Sequence, residues 1–366
     1  MIAEFGKYRQ NRHQEAIGWK GKTGRKVIGV FCCDVPEEII YAADMLPVRI
    51  LGEEEEATEA DLHFPTNVCP YAKSCFDQAL KGRYDYLDGL VVPNVCDMVR
   101  AMYSFWKIKT KLPYIHFLEV PQKISDEGIN FFSKHLLLFK ESLEELSGNN
   151  ISSESLRHAI DIYNRNRALL RQAYELRKKD LISGVELQGM VLSSMLMPKE
   201  EHNQLMAQYL EEADQRHATG DRVRFFVSAS MLDNTDFFQL IEDCGGSVVA
   251  DDMPTGSRYF FYSVDGEEEP LKALAERYLA RIPCPRKMLP QARYQFITET
   301  MNGTEVQGAI IHNLKACDCH LYEYPFLKEM LEAKGLPVLF FRGEETEAER
   351  QTQRDDIEAF IEILRS

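Results

Sequence analysis

Nine cysteines are the residues of this 366-residue chain that point most directly to chemistry: Cys32, Cys33, Cys69, Cys75, Cys96, Cys244, Cys284, Cys317 and Cys319. Thiolates ligate iron–sulfur clusters and zinc, whereas disulfides are rare in a reducing compartment. No CxxC pair occurs, which favours iron–sulfur over a tetrahedral zinc site. The competing reading is packing, because free cysteine is among the most buried residue types. Cys244, before Gly245-Gly246, is read as packing, and so is Cys75, six residues after Cys69 on one predicted helix. Cys284, between two prolines, is read as structural.

The elements that must position the others come from periodicity and turn signals. Val27 to Phe31 reads as a buried strand, followed by Cys32-Cys33 and a helix start at Asp34-Val35-Pro36-Glu37, with Asp34 as N-cap candidate. Cys69 stands just before a helix predicted over Tyr71 to Lys81. Cys96 follows a strand at Gly89 to Pro93 and opens a helix carrying Met98, Val99, Met102, Tyr103 and Trp106. Leu112 to Val120 is a further apolar stretch. From Ser125 to Ala218 the pattern is helical and charged, and strand–helix alternation resumes at Arg222. Val223 to Ser228, Ser247 to Ala250, Gln307 to Asn313 and Pro337 to Phe341 read as strands. Helices are expected over Phe237 to Asp243, Leu271 to Thr300 with a break near Pro283 and Pro285, Tyr322 to Gly335, and Asp355 to Leu364.

The alternation implies an α/β fold of two parallel-sheet domains. Residues 1–124 would form the first with its helical arm, 125–220 a helical connector or insertion, and 221–366 the second. In open parallel sheets ligands gather beyond the carboxyl ends of the strands, where helix N-termini favour anions. Cysteines from both halves are therefore expected to converge on a cleft. His312, inside an apolar strand, reads as a core residue; His320 reads as a proton carrier or a donor to a ligand.

The formal net charge of −15 argues against a nucleic-acid partner. Its acid lies in runs such as Glu53 to Glu56 and Glu267 to Glu269, read as solvated loops. No apolar run approaches the roughly 20 residues of a membrane helix, and the N-terminal segment has no secretory signal, so a cytoplasmic protein is expected. Gly21-Lys22-Thr23 is not a phosphate loop, since the required first glycine would be Ala16 and the segment precedes a strand.

Four segments together resemble the 2-hydroxyacyl-CoA dehydratase and benzoyl-CoA reductase (D-component) family, of the shorter-subunit type. They are GVFCCDVPEEIIYAADMLPVRILG, HFPTNVCPYAKSCFDQALKGRYDYLDGLVVPNVCDMVRAMYSFWK, SVVADD, and KACDCHLYEYPFLKEMLEAKGLPVLFF with the following TQRDDIEAFIEIL. The resemblance implies two flavodoxin-like domains and a [4Fe–4S] cluster on Cys69, Cys96 and Cys317. It implies an ATP-hydrolysing [4Fe–4S] activator that injects one electron, and either a paralogous larger subunit or a second copy of the chain as partner. The implied reaction is dehydration of a 2-hydroxyacyl-CoA by a ketyl-radical route, or reduction of an aromatic acyl-CoA. Glu38, Asp318 and His320 are acid–base candidates, with Glu38 and Asp318 also read as capping or support.

The sequence departs from the family pattern at Cys32-Cys33 and at Cys319, which stands where proline often follows Cys-Asp. These three are additional candidate cluster ligands. A branch of the family carries a double-cubane [8Fe–9S] cluster and reduces small molecules without CoA. Adjacent strand residues face opposite ways, so the single cubane is favoured, with at least one of Cys32 and Cys33 facing it. A non-catalytic electron-relay or scaffold role in a heterodimer is the remaining alternative.

Overall fold

The computed structural model describes residues 2–366 except positions 54, 66, 219, 281–283, 288–289 and 345–346. The helix break expected at Pro283 and Glu54 of the acidic run lie outside the described residues. Among the described residues eight strands form two four-stranded, all-parallel sheets. The first contains β1 (Val27–Val30), β2 (Leu46–Arg49), β3 (Gly89–Pro93) and β4 (Ile115–Leu118), in the order β2-β1-β3-β4. The second contains β5 (Val223–Ala229), β6 (Gly246–Asp252), β7 (Gly308–Leu314) and β8 (Val338–Gly343), in the equivalent order β6-β5-β7-β8. Strands such as VIGV and GLVVP are buried along their whole length, as expected where helices cover both faces of a parallel sheet.

Four helices fill the middle of the chain: Asp126–Ser147, Ser153–Lys178, Gly184–Ser194 and Lys199–Ala213. The first three begin at serine caps, Ser125, Ser152 and Ser183, whose side chains accept from Gly128, Ser155 and Glu186 amides. At Ser183 the Glu186 carboxylate returns the bond, completing a capping box. The Asp126–Ser147 helix covers one face of the first sheet through Phe132, Leu136 and Phe139, packed with Ile28, Val30 and Val91.

That same cluster contains Val264, Leu271, Leu274 and Leu279. The chain thus returns to the first sheet with the Pro270–Ala280 helix after the second sheet has begun. Packing therefore crosses the expected division at residues 124 and 220. Asp34 differs from its expected role. Pro36 is the N-cap of the Glu37–Ala42 helix, and Asp34 is fully buried as the counter-charge of Arg286 and Lys287. Its oxygens face the two interior cations and the Cys32 thiol instead of the amides of the helix that follows. Among the described residues no helix is long and apolar enough to cross a membrane.

Candidate functional site

Each sheet reverses its winding at one strand pair, β1/β3 in the first and β5/β7 in the second. Such switch points open a crevice at the carboxyl ends of the strands. Cys32 and Cys33 follow β1, Cys96 follows β3 and Cys317 follows β7. Cys69, Cys96 and Cys317 are the N-cap residues of three helices, Pro70–Leu80, Asp97–Lys109 and Asp318–Glu332. All three, with Cys32, are partly buried against one apolar cluster containing Tyr71, Val95, Val99 and Leu314.

Burial pushes these three thiols up, and ionisation of a neighbour adds to the rise, Cys69 on Cys96 and both of these on Cys317. Helix amides oppose the shift: those of Tyr71 and Ala72 at Cys69, Val99 at Cys96 and His320 at Cys317. None of the three thiols makes a strict capping hydrogen bond. The amides act as oriented dipoles whose positive ends favour negative sulfur.

The turn after β1 holds Cys32 in the left-handed region at φ 58°, and Ala316, just before Cys317, also has φ 58°. That conformation is costly for a non-glycine residue and clusters at functional sites. One sulfur from each of Cys32 and Cys33 and one Asp34 carboxylate oxygen lie within 4.8 Å of one another. The Cys32 thiol donates to Asp34 Oδ2 at 3.3 Å. On its other oxygen Asp34 pairs with Lys287 at 3.4 Å and Arg286 at 3.7 Å. Burial raises the Asp34 carboxyl, but these two cations pull it below its ordinary value.

A second buried carboxylate, Asp252 at the end of β6, accepts from Arg258 Nε at 2.5 Å and Nη2 at 2.9 Å, from Arg293 Nη1 at 2.9 Å, and from Ser228 at 3.0 Å. Arg293 also donates to Glu323 at 2.5 Å. His320 Nε2 lies 3.4 Å from Arg258 Nη1. Burial, then Arg258 and Arg293, push His320 well below its ordinary value, so its ring is neutral at physiological pH.

A cavity of about 770 Å³ opens beside this array, within the usual range for small-molecule sites. Cys284, Cys319, Lys287 and Arg293 line it, with Tyr294 and Tyr322 among its aromatic wall. A smaller one of about 170 Å³ shares Cys284, Lys287 and Arg293. Cys284, read from sequence as structural, thus faces the same space as Cys319. The only sequence signal for it was its position between two prolines, which says nothing about what it meets. Arg258, Arg286, Lys287 and Arg293 were missed for the same reason.

The remaining candidates sit elsewhere. Glu38 is fully buried, ion-paired with Arg167 and accepting from the Tyr278 hydroxyl at 2.8 Å, and it lines neither cavity. Asp318 is exposed. Cys75 is fully buried in the core, His312 packs on Phe237 at 4.6 Å, and Cys244 is half-buried at a helix end beside Arg354.

Sequence comparison complements this geometry. Residues 32–364 match the model of the family described as 2-hydroxyglutaryl-CoA dehydratase, D-component. The chain is 28% identical to one of the subunits of benzoyl-CoA reductase from Thauera aromatica, over 95% of this chain and 93% of that one. It is 29% identical to the (R)-phenyllactyl-CoA dehydratase beta subunit of Clostridium sporogenes, over 94% and 93% of the two chains. It is 27% identical to the beta subunit of (R)-2-hydroxyglutaryl-CoA dehydratase from Acidaminococcus fermentans, over 100% and 99%. With that coverage on top of the paired sheets and the cysteines at their switch points, the chain belongs to the 2-hydroxyglutaryl-CoA dehydratase D-component family, as a dehydratase- or benzoyl-CoA reductase-like enzyme subunit.

Proposed function

We propose that this chain holds a [4Fe–4S] cluster on Cys69, Cys96 and Cys317 and is the iron–sulfur subunit of a low-potential one-electron enzyme acting on acyl-CoA thioesters. The observation that carries this reading is the gathering of three helix-capping cysteines, drawn from both sheets, against one apolar cluster. The donor set fits: soft sulfur backed by helix amides suits an anionic sulfide cluster better than a bare hard cation. When bound, the cluster supplies one electron at low potential.

The chain's own residues then have distinct tasks. The capping amides offset thiolate charge, and partial burial excludes water from the sulfurs. Neutral His320 faces the Arg258 guanidinium with Nε2 and helps hold it beside Asp252. Glu38, clamped by Arg167 and Tyr278, holds the Glu37–Ala42 helix that follows the cysteine turn. The partners are an ATP-hydrolysing [4Fe–4S] activator and a larger paralogous subunit or a second copy, all cytoplasmic. Relatives named for dehydration and for benzoyl-CoA reduction leave both reactions in the class.

A second reading, a double-cubane [8Fe–9S] cluster acting without CoA, is favoured by one arrangement. Cys32 and Cys33 close on each other, and Cys319 and Cys284 share a cavity. Iron and sulfide analysis of anaerobically prepared protein separates the two. We expect about four irons per chain, lost when Cys69, Cys96 and Cys317 are all changed to serine. Full iron retention in that triple variant would sink the proposal. About eight irons, half of them lost in a Cys32, Cys33 and Cys319 triple serine variant, would establish the larger cluster.

A further inference from the structure

We propose that the cavity of about 770 Å³ accepts an uncharged aromatic acyl group and excludes one that ends in a carboxylate. The assignment rests on the acyl-CoA reading above and narrows its substrate class. Its first support is the Asp318–Glu332 helix, which Cys317 caps. Cys319, Tyr322, Phe326 and Met330 line the cavity from this helix. Residues three and four apart share a helix face, so these form one stripe. At about 1.5 Å of rise per residue, Phe326 lies roughly 10 Å along the axis from Cys319. A thioester carbonyl beside Cys319 therefore places its acyl body against Tyr322 and Phe326.

Tyr322 is 79% and Phe326 63% exposed, so the fold itself buries neither ring. Tyr324, on another side of the same helix, stacks on Phe340 at 3.7 Å and packs against the core of the second sheet. Open apolar rings around a concavity mark a ligand surface. Tyr294 adds a third ring to the wall, and such rings reward an aromatic partner beyond the area it buries.

The second support is electrostatic. Lys287 and Arg293 are buried cations that line the cavity, and both already face carboxylates. Lys287 pairs with Asp34 at 3.4 Å, and its Nζ donates to the Tyr278 and Leu279 carbonyls at 2.8 and 2.9 Å. Arg293 pairs with Asp252 at 2.6 Å and with Glu323 at 2.5 Å. Glu323 and Glu329 are themselves part of the wall. A carboxylate entering here would meet two like charges and engaged cations, and would lose hydration without gaining a partner. A neutral ring carries no such cost.

The test is calorimetric binding of three thioesters to the anaerobic holoprotein: 3-phenylpropanoyl-CoA, hexanoyl-CoA, and adipoyl-CoA, which has the hexanoyl chain with a terminal carboxylate. The phenyl thioester should bind tightest. Adipoyl-CoA should bind about tenfold or more weaker than hexanoyl-CoA, the cost of one polar group left unpaired. Changing Tyr322→Ala and Phe326→Ala together, both on the open rim, should erase the phenyl preference. Glu329→Lys, also at an exposed position, should recover adipoyl-CoA binding severalfold. Iron content and unfolding temperature equal to those of the wild type in each variant tie these changes to the wall. Adipoyl-CoA bound as tightly as hexanoyl-CoA, or a phenyl preference that survives in the double variant, overturns the assignment and leaves the acyl-CoA reading standing. Failure of all three thioesters to bind overturns that reading, and this assignment with it.

Discussion

Replacing Asp252 by asparagine removes the charge that two buried guanidiniums share while leaving the side chain nearly the same size. Asp252 is 0% exposed, and Arg258 and Arg293 are 2% exposed each. Five of its contacts with these groups and Ser228 lie between 2.5 and 3.0 Å. Glu323 offsets part of the charge of Arg293, whereas Arg258 keeps neutral His320 beside it. Breaking a buried pair by removing one partner costs about 3–5 kcal/mol, because an uncompensated charge remains. At about 2–4 °C per kcal/mol for a unit of this size, the midpoint of unfolding should fall by roughly 6–20 °C. The effect should reach the site, since Asp252 ties β6 to Arg293 and, through Glu323, to the helix that Cys317 caps. A control is Lys272→Ala, which deletes an exposed pair with Glu268 four residues earlier; solvent screens such a pair, so its midpoint should stay close to that of the wild type. Calorimetric scans of both variants with iron removed decide the matter. An Asp252→Asn midpoint within about 3 °C of wild type, hence about 1 kcal/mol, would refute the reasoning.

Three further outcomes follow from the same geometry. Burial lowers Lys199 to about 8, although Glu37 opposes the shift; between that value and the unfolded value the unfolded chain binds more protons, so stability rises with pH. Scans at about pH 7.5 and about pH 9.5, on either side of the folded value, should show the wild type gaining on Lys199→Met, and equal pH slopes would contradict this. Cys32, at φ 58°, should tolerate glycine better than alanine by about 1 kcal/mol in the iron-free chain, since the left-handed penalty falls on alanine alone; denaturant midpoints of the two variants measure it, and equal midpoints count against it. Leu274 is 0% exposed among Ile28, Val30 and Phe132, so Leu274→Ala should cost about 2–5 kcal/mol and speed proteolysis within residues 27–118; selective cleavage confined to the second sheet would be the contrary result.

Much of the fold is legible because buried parallel strands are short apolar runs bounded by helix signals. Gly89–Pro93 has the bounds its sequence suggests, and the strands from Val223, Gly246, Gly308 and Val338 differ from expectation only at their ends. The strand Leu46–Arg49 is less legible because it is short and carries Pro47. An edge strand tolerates proline, since one side of its backbone has no sheet partner. Asp34 followed its local signal into the wrong role. The Asp-Val-Pro-Glu pattern describes a helix start, but the two cations that bury Asp34, Arg286 and Lys287, lie in the other half of the chain.

By itself the sequence determined the α/β alternation and the placing of cysteines at strand ends, because periodicity and turn chemistry are properties of neighbouring residues. Tertiary structure alone decided that the Pro270–Ala280 helix returns to the first sheet, that Cys284 faces the same cavity as Cys319, and that Arg258 and Arg293 share Asp252 while Arg286 keeps its donors free. The physical reason is that an apolar face or a charge announces only that it needs a partner. Which partner it meets is set by how the layers stack, and that is decided by contacts between residues far apart in the chain.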